Sequence, residues 1–218
     1  SIRRSASPIS PRRAAFSSAP DRLAYARLTP MVKPAGLVLF HGAGGNRDHR
    51  HFLALEEALD IPVRRINFAY RELGARRPPP RAPKLIEELN EVVPAIAEEL
   101  GTEPKRLLLG GRSMGGRMAS IAVAEGLACR GLILLSYPLH PPGKPDRLRV
   151  DHFPALRKPC LFVSGDKDPF GLPGEWDDHL ATIPGAVEFH SLAGDAHDPK
   201  KNDGELVDVV TRWVRARR

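Results

Sequence analysis

Short apolar runs alternate with segments of helical periodicity from about residue 36 to the end of the chain. The apolar runs cover residues 36–40, 63–69, 106–109, 131–135, 159–163 and 186–190. Several of these runs contain no polar alternation, which is typical of strands that are covered on both faces. Helical spacing of apolar positions occurs at residues 50–59, 84–100, 114–127, 174–182 and 201–216. This order of elements predicts βαβ units, with a mostly parallel sheet flanked by helices.

Length and composition fit a single globular domain. The chain has 218 residues, of which 42% are hydrophobic and 27% are charged. No segment reaches the roughly 18 uncharged apolar residues of a membrane-spanning helix, so we expect no membrane partner. Cys129 and Cys160 stand outside any metal-binding or redox motif. They are therefore expected to be two reduced, half-buried thiols in a cytoplasmic protein.

The net charge of +7 is concentrated at the N-terminus. Residues 1–30 contain six arginines and one acidic residue, Asp21. The stretch is rich in Ser, Pro and Arg and contains no nucleic-acid recognition motif, so we expect a solvated tail rather than a nucleic-acid partner. Transit peptides have a similar composition, whereas secretory signals contain an apolar core that this stretch does not have. We predict a flexible tail at residues 1–20 and one domain at residues 21–218.

A Gly-x-Ser-x-Gly motif, Gly111-Arg112-Ser113-Met114-Gly115, stands between an apolar run and a helical segment. The strand, turn and helix around it are the context in which this pattern presents a nucleophilic serine. The serine must adopt a positive φ, which brings the residues two before and two after it into near contact, so both are glycine. We expect Ser113 to be a nucleophile, with a plain structural turn as the alternative. Gly116 would let the next helix pack close to the strand.

The segment His41-Gly42-Ala43-Gly44-Gly45 follows the first strong apolar run. In hydrolases with the serine motif above, one N–H from such a loop and one from the residue after the nucleophile form the oxyanion hole. These donors are predicted to be the backbone N–H groups of Ala43 and Met114. A plain glycine turn is the alternative. A dinucleotide-binding loop fits less well, because Arg47 stands where that motif needs a third glycine.

Two candidate acids, Asp166 and Asp168, lie in the turn after the apolar run at residues 159–163. We favour Asp168, since hydrolases of this type place the acid three residues past a glycine, here Gly165. Asp166 is expected to point to solvent or to cap the turn.

The candidate base is His197, in the loop Gly194-Asp195-Ala196-His197-Asp198 after the last predicted strand. It would take the proton from Ser113 and be oriented by Asp168. The order serine, aspartate, histidine along the chain is that of α/β-hydrolases and differs from the orders in chymotrypsin and subtilisin. Agreement of three residues, each after its own strand, predicts the α/β-hydrolase fold.

His49 and His51, beside Asp48, are the one arrangement that suggests a metal site. The pair lies where a helix is predicted to begin, so we interpret both as polar surface side chains. We expect neither a metal nor a cofactor.

Four blocks resemble a family of small α/β-hydrolases related to dienelactone hydrolases. This family is widespread in bacteria and includes the human testis-expressed protein and the third subunit of the NSL histone-acetyltransferase complex. The matching blocks are residues 41–46, 111–117, 136–145 and 162–171. The block Ser136-Tyr-Pro-Leu-His-Pro-Pro-Gly-Lys-Pro145 is the most specific of them, because general esterases do not carry it. The resemblance implies one hydrolase domain with a Ser/Asp/His site and no defined substrate.

The connection between Leu135 and Pro159 is about two dozen residues long and rich in proline. It is long enough to form a rim but too short for a helical cap domain, so a small ester or an ester at the end of a polymer is favoured over a triglyceride as the substrate. Tyr137 and His140 are expected to line this rim. Arg112 would favour an anionic substrate or, as the alternative, form an ion pair beneath the turn that carries Ser113. His41 is a further candidate substrate contact.

Together these residues predict a serine hydrolase that cleaves a small-molecule carboxylic ester or thioester through an acyl-enzyme on Ser113. The alternative is a non-catalytic module of the same fold that serves in binding or as a scaffold. Scaffolds of this kind tend to lose a site residue, whereas this chain keeps all of them, so catalysis is favoured.

Overall fold

The computed structural model describes residues 33–74 and 77–217, and the predicted tail at residues 1–20 lies outside this range. Six strands form one sheet in the order β2-β1-β3-β4-β5-β6, and every neighbouring pair is parallel. The strands are β1 Gly36–Phe40, β2 Val63–Ile66, β3 Leu107–Arg112, β4 Gly131–Leu135, β5 Cys160–Gly165 and β6 Val187–Leu192. The predicted parallel sheet is therefore confirmed.

Six α-helices flank this sheet in the described part of the chain. They are α1 Arg50–Ala58, α2 Ala69–Glu72, α3 Ala82–Glu99, α4 Met114–Ala124, α5 Asp177–Leu180 and α6 Asp203–Arg215. Three short 3-10 turns lie at Pro104–Arg106, Phe153–Ala155 and Pro173–Glu175. Two expectations need correction: Ala69 begins a helix rather than ending a strand, and the helix expected at residues 174–182 is a 3-10 turn followed by the single turn α5.

Alternate residues of the strands face two separate apolar layers. In β1, Leu37 and Leu39 pack in the cluster that contains residues of α1 and α6, whereas Val38 and Phe40 pack in the cluster with residues of α3 and α4. This alternation follows from the two-residue period of a strand. Both faces of the sheet are covered, which explains why its central strands contain almost no polar residues.

Cys129 and Cys160 are free and fully buried, rather than half-buried as expected. Burial raises the pKa of each thiol to about 12, so both remain protonated and unreactive. Within residues 33–74 and 77–217, no helix is both long and apolar enough to cross a membrane.

The order in which successive strands are added to the sheet reverses between β1 and β3. From β1 the chain moves outward to β2, and it then returns to the other side of β1 to form β3 and continue to β6. Ligands of open parallel sheets bind at such a switch point, beyond the carboxyl ends of the strands. The topology therefore places the loop after β1 and the loop after β3 at the two sides of one crevice.

The end of β1 also lies against the turn between β3 and α4. A Cβ atom added at Gly111 or Gly115 would lie 2.1 or 2.0 Å from the carbonyl oxygen of Phe40, and one added at Gly116 would lie 2.7 Å from that of Gly111. The glycines thus make room mainly for the β1 carbonyl, rather than for each other as we expected. The predicted close approach of helix to strand at Gly116 is confirmed.

We predict that Gly115→Ala lowers the free energy of unfolding by about 3 kcal/mol or more, because the new methyl group must displace backbone atoms. Gly204→Ala in α6 is the matched control, since a Cβ there has open space within 4 Å. Its stability should be unchanged or increased by up to about 1 kcal/mol. Urea denaturation of both variants checks this, and equal stability of the two would contradict the packing described here.

Candidate active site

Ser113 occupies the turn between β3 and α4 with φ 51° and ψ −116°. The positive φ agrees with the sequence-based expectation and is unfavourable for a residue with a side chain. A backbone hydrogen bond from its N–H to the Leu135 carbonyl, at 2.8 Å, continues the pairing of β3 with β4 beyond the strand. The surrounding strands therefore hold the serine in a conformation that it would not adopt alone.

The side chains of Ser113, His197 and Asp168 form a continuous hydrogen-bonded line. Ser113 Oγ lies 2.9 Å from His197 Nε2, and His197 Nδ1 lies 2.8 and 3.1 Å from the two oxygens of Asp168. In a neutral imidazole this pattern has Nδ1–H donating to the carboxylate and Nε2 accepting from the serine hydroxyl. Asp168 is only 1% exposed, so water competes little for its charge.

The two candidate acids make different contacts. Asp168 Oδ1 also accepts the N–H of Phe170 at 2.9 Å, which orients the carboxylate towards His197. Asp166 Oδ1 instead accepts the N–H of Gly194 at 2.7 Å and so ties the acid turn to the histidine loop. The geometry favours Asp168 as the partner of His197. Asp166 binds the histidine loop, which corrects the expectation that it points to solvent or caps its own turn.

The loop after β1 forms a tight turn in which the Gly45 N–H donates to the Gly42 carbonyl at 3.0 Å. Tyr70 fixes this turn from outside, since its hydroxyl donates to the Ala43 carbonyl at 2.8 Å. Among the described residues, the N–H groups of Ala43 and Met114 have no hydrogen-bond acceptor. Both expected oxyanion donors are therefore free to bind a ligand.

Two of the expected substrate contacts lie inside the protein. His41 is 1% exposed: its Nδ1–H donates to the Gly42 carbonyl at 2.7 Å, and its Nε2 accepts the Phe68 N–H at 3.2 Å. Burial also lowers its pKa, which keeps the ring neutral. Tyr137 is fully buried and donates its hydroxyl to the Arg149 carbonyl at 2.6 Å. These side chains support the loops on either side of the site, which corrects the expectation that they touch substrate.

The other two expected substrate contacts, His140 and Arg112, bind neighbouring residues of the protein. His140 is buried, with Nδ1 2.8 Å from the Pro141 carbonyl and Nε2 3.2 Å from Glu175. Arg112 donates to the His197 carbonyl at 2.9 Å and lies 3.3 Å from Asp198. Arg112 therefore has the structural ion pair that was the alternative to binding an anionic substrate.

An ion-pair cluster lies behind the histidine loop. Arg50, at the start of α1, binds the Asp198 carboxylate at 3.1 and 3.2 Å, Asp203 at 2.9 Å and the Pro199 carbonyl. Burial by itself would raise the pKa of Asp198, but hydrogen bonds from Arg50 and the charge of Arg112 lower it to about 2. The carboxylate is therefore ionised throughout the neutral range, and it joins the loop to α1 and to the nucleophile turn.

His49 and His51 belong to this cluster rather than to a metal site or an exposed surface. His51 is 1% exposed and lies 2.7 Å from Asp203, and His49 lies 3.3 Å from Asp198. Asp48 is absent from their contacts because it pairs with Arg65. No group of three or more metal-ligating side chains occurs in residues 33–74 and 77–217.

Residues 33–215 match the protein family described as alpha/beta hydrolase domain. The chain belongs to this family. The match covers nearly all of the residues that the structure describes. The protein is therefore an α/β hydrolase, as the motifs predicted.

Solved structures of esterases and of a dienelactone hydrolase resemble this α/β hydrolase in fold. Est1E from Butyrivibrio proteoclasticus is 18% identical, with a TM-score of 0.68 over 88% of this chain and 90% of that one. The dienelactone hydrolase from Anabaena variabilis is 18% identical, with a TM-score of 0.67 over 84% and 86%. EstE1, a thermostable carboxylesterase from a metagenomic library, is 17% identical, with a TM-score of 0.63 over 85% and 80%.

Sequence reasoning missed several residues that shape the site of this α/β hydrolase. Phe170 stacks on His197 with ring centroids 4.0 Å apart, and its position two residues after Asp168 was the available signal. Asp198 directly follows His197 in the sequence, so its position was also an available signal. Arg50 and Tyr70 gave no signal, because their partners lie far away in the sequence.

We predict that Asp198→Ala lowers kcat for ester hydrolysis about tenfold with little change in KM, because His197 loses part of its backbone support. Asp198→Glu should restore part of the rate. The matched control is Glu99→Ala, which removes the exposed carboxylate paired with Arg64. A kcat for Asp198→Ala equal to that of Glu99→Ala would show that the cluster does not position His197.

We also predict that the fold loses stability between pH 6.5 and about pH 4. Burial and the charge of Arg112 lower the pKa of His49 from 6.5 to about 4. The unfolded chain therefore binds more protons in this window, and stability falls by up to about 3 kcal/mol from this residue as the pH decreases. Denaturation of His49→Gln as a function of pH should show a shallower loss, and an equal slope in both proteins would contradict the prediction.

Proposed function

We propose that this protein is a serine hydrolase that cleaves a carboxylic ester or thioester through an acyl-enzyme on Ser113. The observation that carries the proposal is the line of hydrogen bonds from Ser113 through His197 to the buried Asp168, at 2.9 and 2.8 Å. Each of these distances lies within the reach required for proton transfer and for orientation of the base.

In the first half of the proposed reaction, Ser113 Oγ attacks the carbonyl carbon while His197 Nε2 takes the hydroxyl proton. The tetrahedral intermediate carries its negative charge on the former carbonyl oxygen, which would accept hydrogen bonds from the Ala43 and Met114 N–H groups. His197 then gives the proton to the departing alcohol or thiol as the carbon–oxygen or carbon–sulfur bond breaks. Ser113 is left acylated.

In the second half, water repeats the attack on the acyl-enzyme. His197 accepts a proton from the water and returns it to Ser113 Oγ, which releases the carboxylic acid and restores the enzyme. The buried carboxylate of Asp168 stabilises the imidazolium that forms in each half. Each oxyanion donor contributes about 3 kcal/mol in comparable enzymes.

The rim of the site favours a small substrate. Between β4 and β5 the structure contains a single 3-10 turn, Phe153–Ala155, and no α-helix that could act as a cap. Little apolar surface is therefore available above Ser113 for a long acyl chain. The names of the structural neighbours, which include a carboxylesterase and a dienelactone hydrolase, support a small ester. Two free thiols support a reducing compartment such as the cytoplasm.

We predict hydrolysis of at least one member of a series of aryl esters and alkyl thioesters with acyl chains of two to eight carbons. Ser113→Ala and His197→Gln should each lower kcat by about 10³-fold or more. The matched control is Ser164→Ala, which removes a buried serine hydroxyl at the end of β5. Full activity in Ser113→Ala would overturn the proposal.

The same assay distinguishes the two acids. Asp168→Asn should lower kcat by about 10³-fold or more, because His197 loses the charge that orients it and stabilises its protonated form. Asp166→Asn should cause a much smaller loss, since the Gly194 N–H is the only group that the Asp166 carboxylate binds in the described part of the chain. A larger loss for Asp166→Asn would reverse the assignment.

A further inference from the structure

Phe170 lies on one face of the candidate base. Its ring centroid is 4.0 Å from that of His197, and the two ring planes differ by 30°. The edges of the imidazole have other partners, since Nδ1 binds Asp168 at 2.8 Å and Nε2 lies 2.9 Å from Ser113 Oγ. Phe170 therefore covers a face of the imidazole, whereas Asp168 and Ser113 bind its edges.

Backbone hydrogen bonds hold Phe170 in this position. Its N–H donates to Asp168 Oδ1 at 2.9 Å, and its carbonyl accepts the N–H of His140 at 3.1 Å. The next residue is held as well, because Gly171 donates to the Asp168 carbonyl at 3.1 Å and accepts the indole N–H of Trp176 at 3.2 Å. The carboxylate that orients the base and the ring that covers it thus belong to one hydrogen-bonded turn.

Packing in the core also fixes this turn. A Cβ atom added at Gly171 would lie 2.9 Å from the ring of Trp176 and 3.0 Å from the Cβ of Leu139. Trp176 is 1% exposed and Leu139 is fully buried, so neither has room to move away. The position of Phe170 is therefore set by buried neighbours on the protein side of the turn.

The charge of His197 changes during the proposed reaction. When Ser113 Oγ attacks, its O–H bond breaks, the proton forms a bond to Nε2, and the imidazole becomes a cation. The face of an aromatic ring is electron-rich and attracts a cation that lies within about 6 Å of its centroid. The imidazolium therefore gains an attraction to Phe170 that the neutral imidazole has only weakly. An interaction that is stronger in the transition state than in the ground state raises the rate.

The surroundings of His197 favour such an attraction. The His197 side chain is 20% exposed and Phe170 is half-buried, and cation–π contacts strengthen as water is removed. The charged groups around His197 are Asp168 at Nδ1, Arg112 at the backbone carbonyl and Asp198 as the next residue. Because Asp168 acts at the edge of the ring and Phe170 at its face, the two do not compete for the same atoms.

We propose that Phe170 is a positioning residue that holds the imidazole of His197 in line between Ser113 and Asp168 and stabilises its protonated form. This inference rests on the proposed function and gives a residue outside the three hydrogen-bonded side chains a part in the rate of acyl transfer. The contribution comes from the face of the ring. An aromatic residue is therefore required at position 170, and an aliphatic residue is not sufficient.

The activity test compares side chains at position 170 in the series of esters and thioesters. Phe170→Leu removes the aromatic face but keeps an apolar side chain beside His197. Its kcat should fall about 3-fold to 30-fold, with KM changed less than about twofold, because the attraction acts mainly in the transition state. Phe170→Tyr keeps the ring and should restore most of the wild-type kcat. A wild-type kcat in Phe170→Leu would overturn the inference.

Pentafluorophenylalanine at position 170 separates the electrostatic contribution from the shape of the ring. This side chain has nearly the shape of Phe, but its face is electron-poor and repels a cation. Its kcat should fall at least as far as that of Phe170→Leu. A wild-type kcat would show that the ring acts by packing alone, which would overturn the stabilisation of the imidazolium.

The matched control is Phe189→Leu. Phe189 is also half-buried and in contact with another aromatic ring, but its partner is Trp176, at a centroid distance of 5.0 Å, rather than His197. This variant loses the same aromatic ring and should keep the wild-type kcat. An equal loss in Phe189→Leu and Phe170→Leu would show that the effect is not specific to the contact with His197.

A titration of the His197 ring, followed by NMR, separates this inference from the proposed function because it needs no turnover. In a Ser113→Ala background, adding Phe170→Leu should lower the midpoint of the titration by about 0.5 pH, which corresponds to a threefold loss of preference for the imidazolium. The charged neighbours of the ring are the same in both proteins. Adding Phe189→Leu instead should leave the midpoint unchanged.

The outcomes of the two experiments are distinct. If the midpoint shifts as expected while the wild type hydrolyses no ester, the proposed function fails and the stabilisation of the imidazolium by Phe170 stands. If the wild type hydrolyses an ester but Phe170→Leu changes neither kcat nor the midpoint, the inference about Phe170 fails alone.

Discussion

The close approach of the end of β1 to the turn between β3 and α4 is the constraint on which the site depends. The Phe40 carbonyl occupies the space that side chains at residues 111 and 115 would need. Because β1 and β3 are adjacent and parallel, with Phe40 opposite Gly111, their carboxyl ends meet at one edge of the sheet. The Gly42–Gly45 turn therefore lies beside Ser113, and the strained serine is held by packing that no local alternative can satisfy.

The histidine loop is held from several directions. Asp166 binds its start at Gly194, Arg112 binds the His197 carbonyl, and Arg50 binds Asp198 together with the beginning of α6. Since Arg112 directly precedes Ser113, one side chain links the positions of the nucleophile and the base. Such support limits the number of arrangements that the three side chains can adopt, which is what a proton relay requires.

Much of this arrangement could be predicted because it depends on local patterns. The apolar runs match the strands within a few residues, and the motif around Ser113 depends on glycines only two or three positions away. The contacts of His41 and Tyr137 could not be predicted, since their polar atoms bind backbone groups brought close only by the fold. Arg50 and Asp198 are 148 residues apart, so no local pattern indicates their pairing.

The most direct test of the account is the mass of the protein after reaction with a fluorophosphonate, which phosphonylates activated serines. The wild type should gain one adduct, and peptide mapping should place it on Ser113. In residues 33–74 and 77–217, only this hydroxyl is bound to a histidine that a buried carboxylate orients. Ser113→Ala should gain none. An unlabelled, folded wild type, or an adduct on another residue, would contradict the central claim.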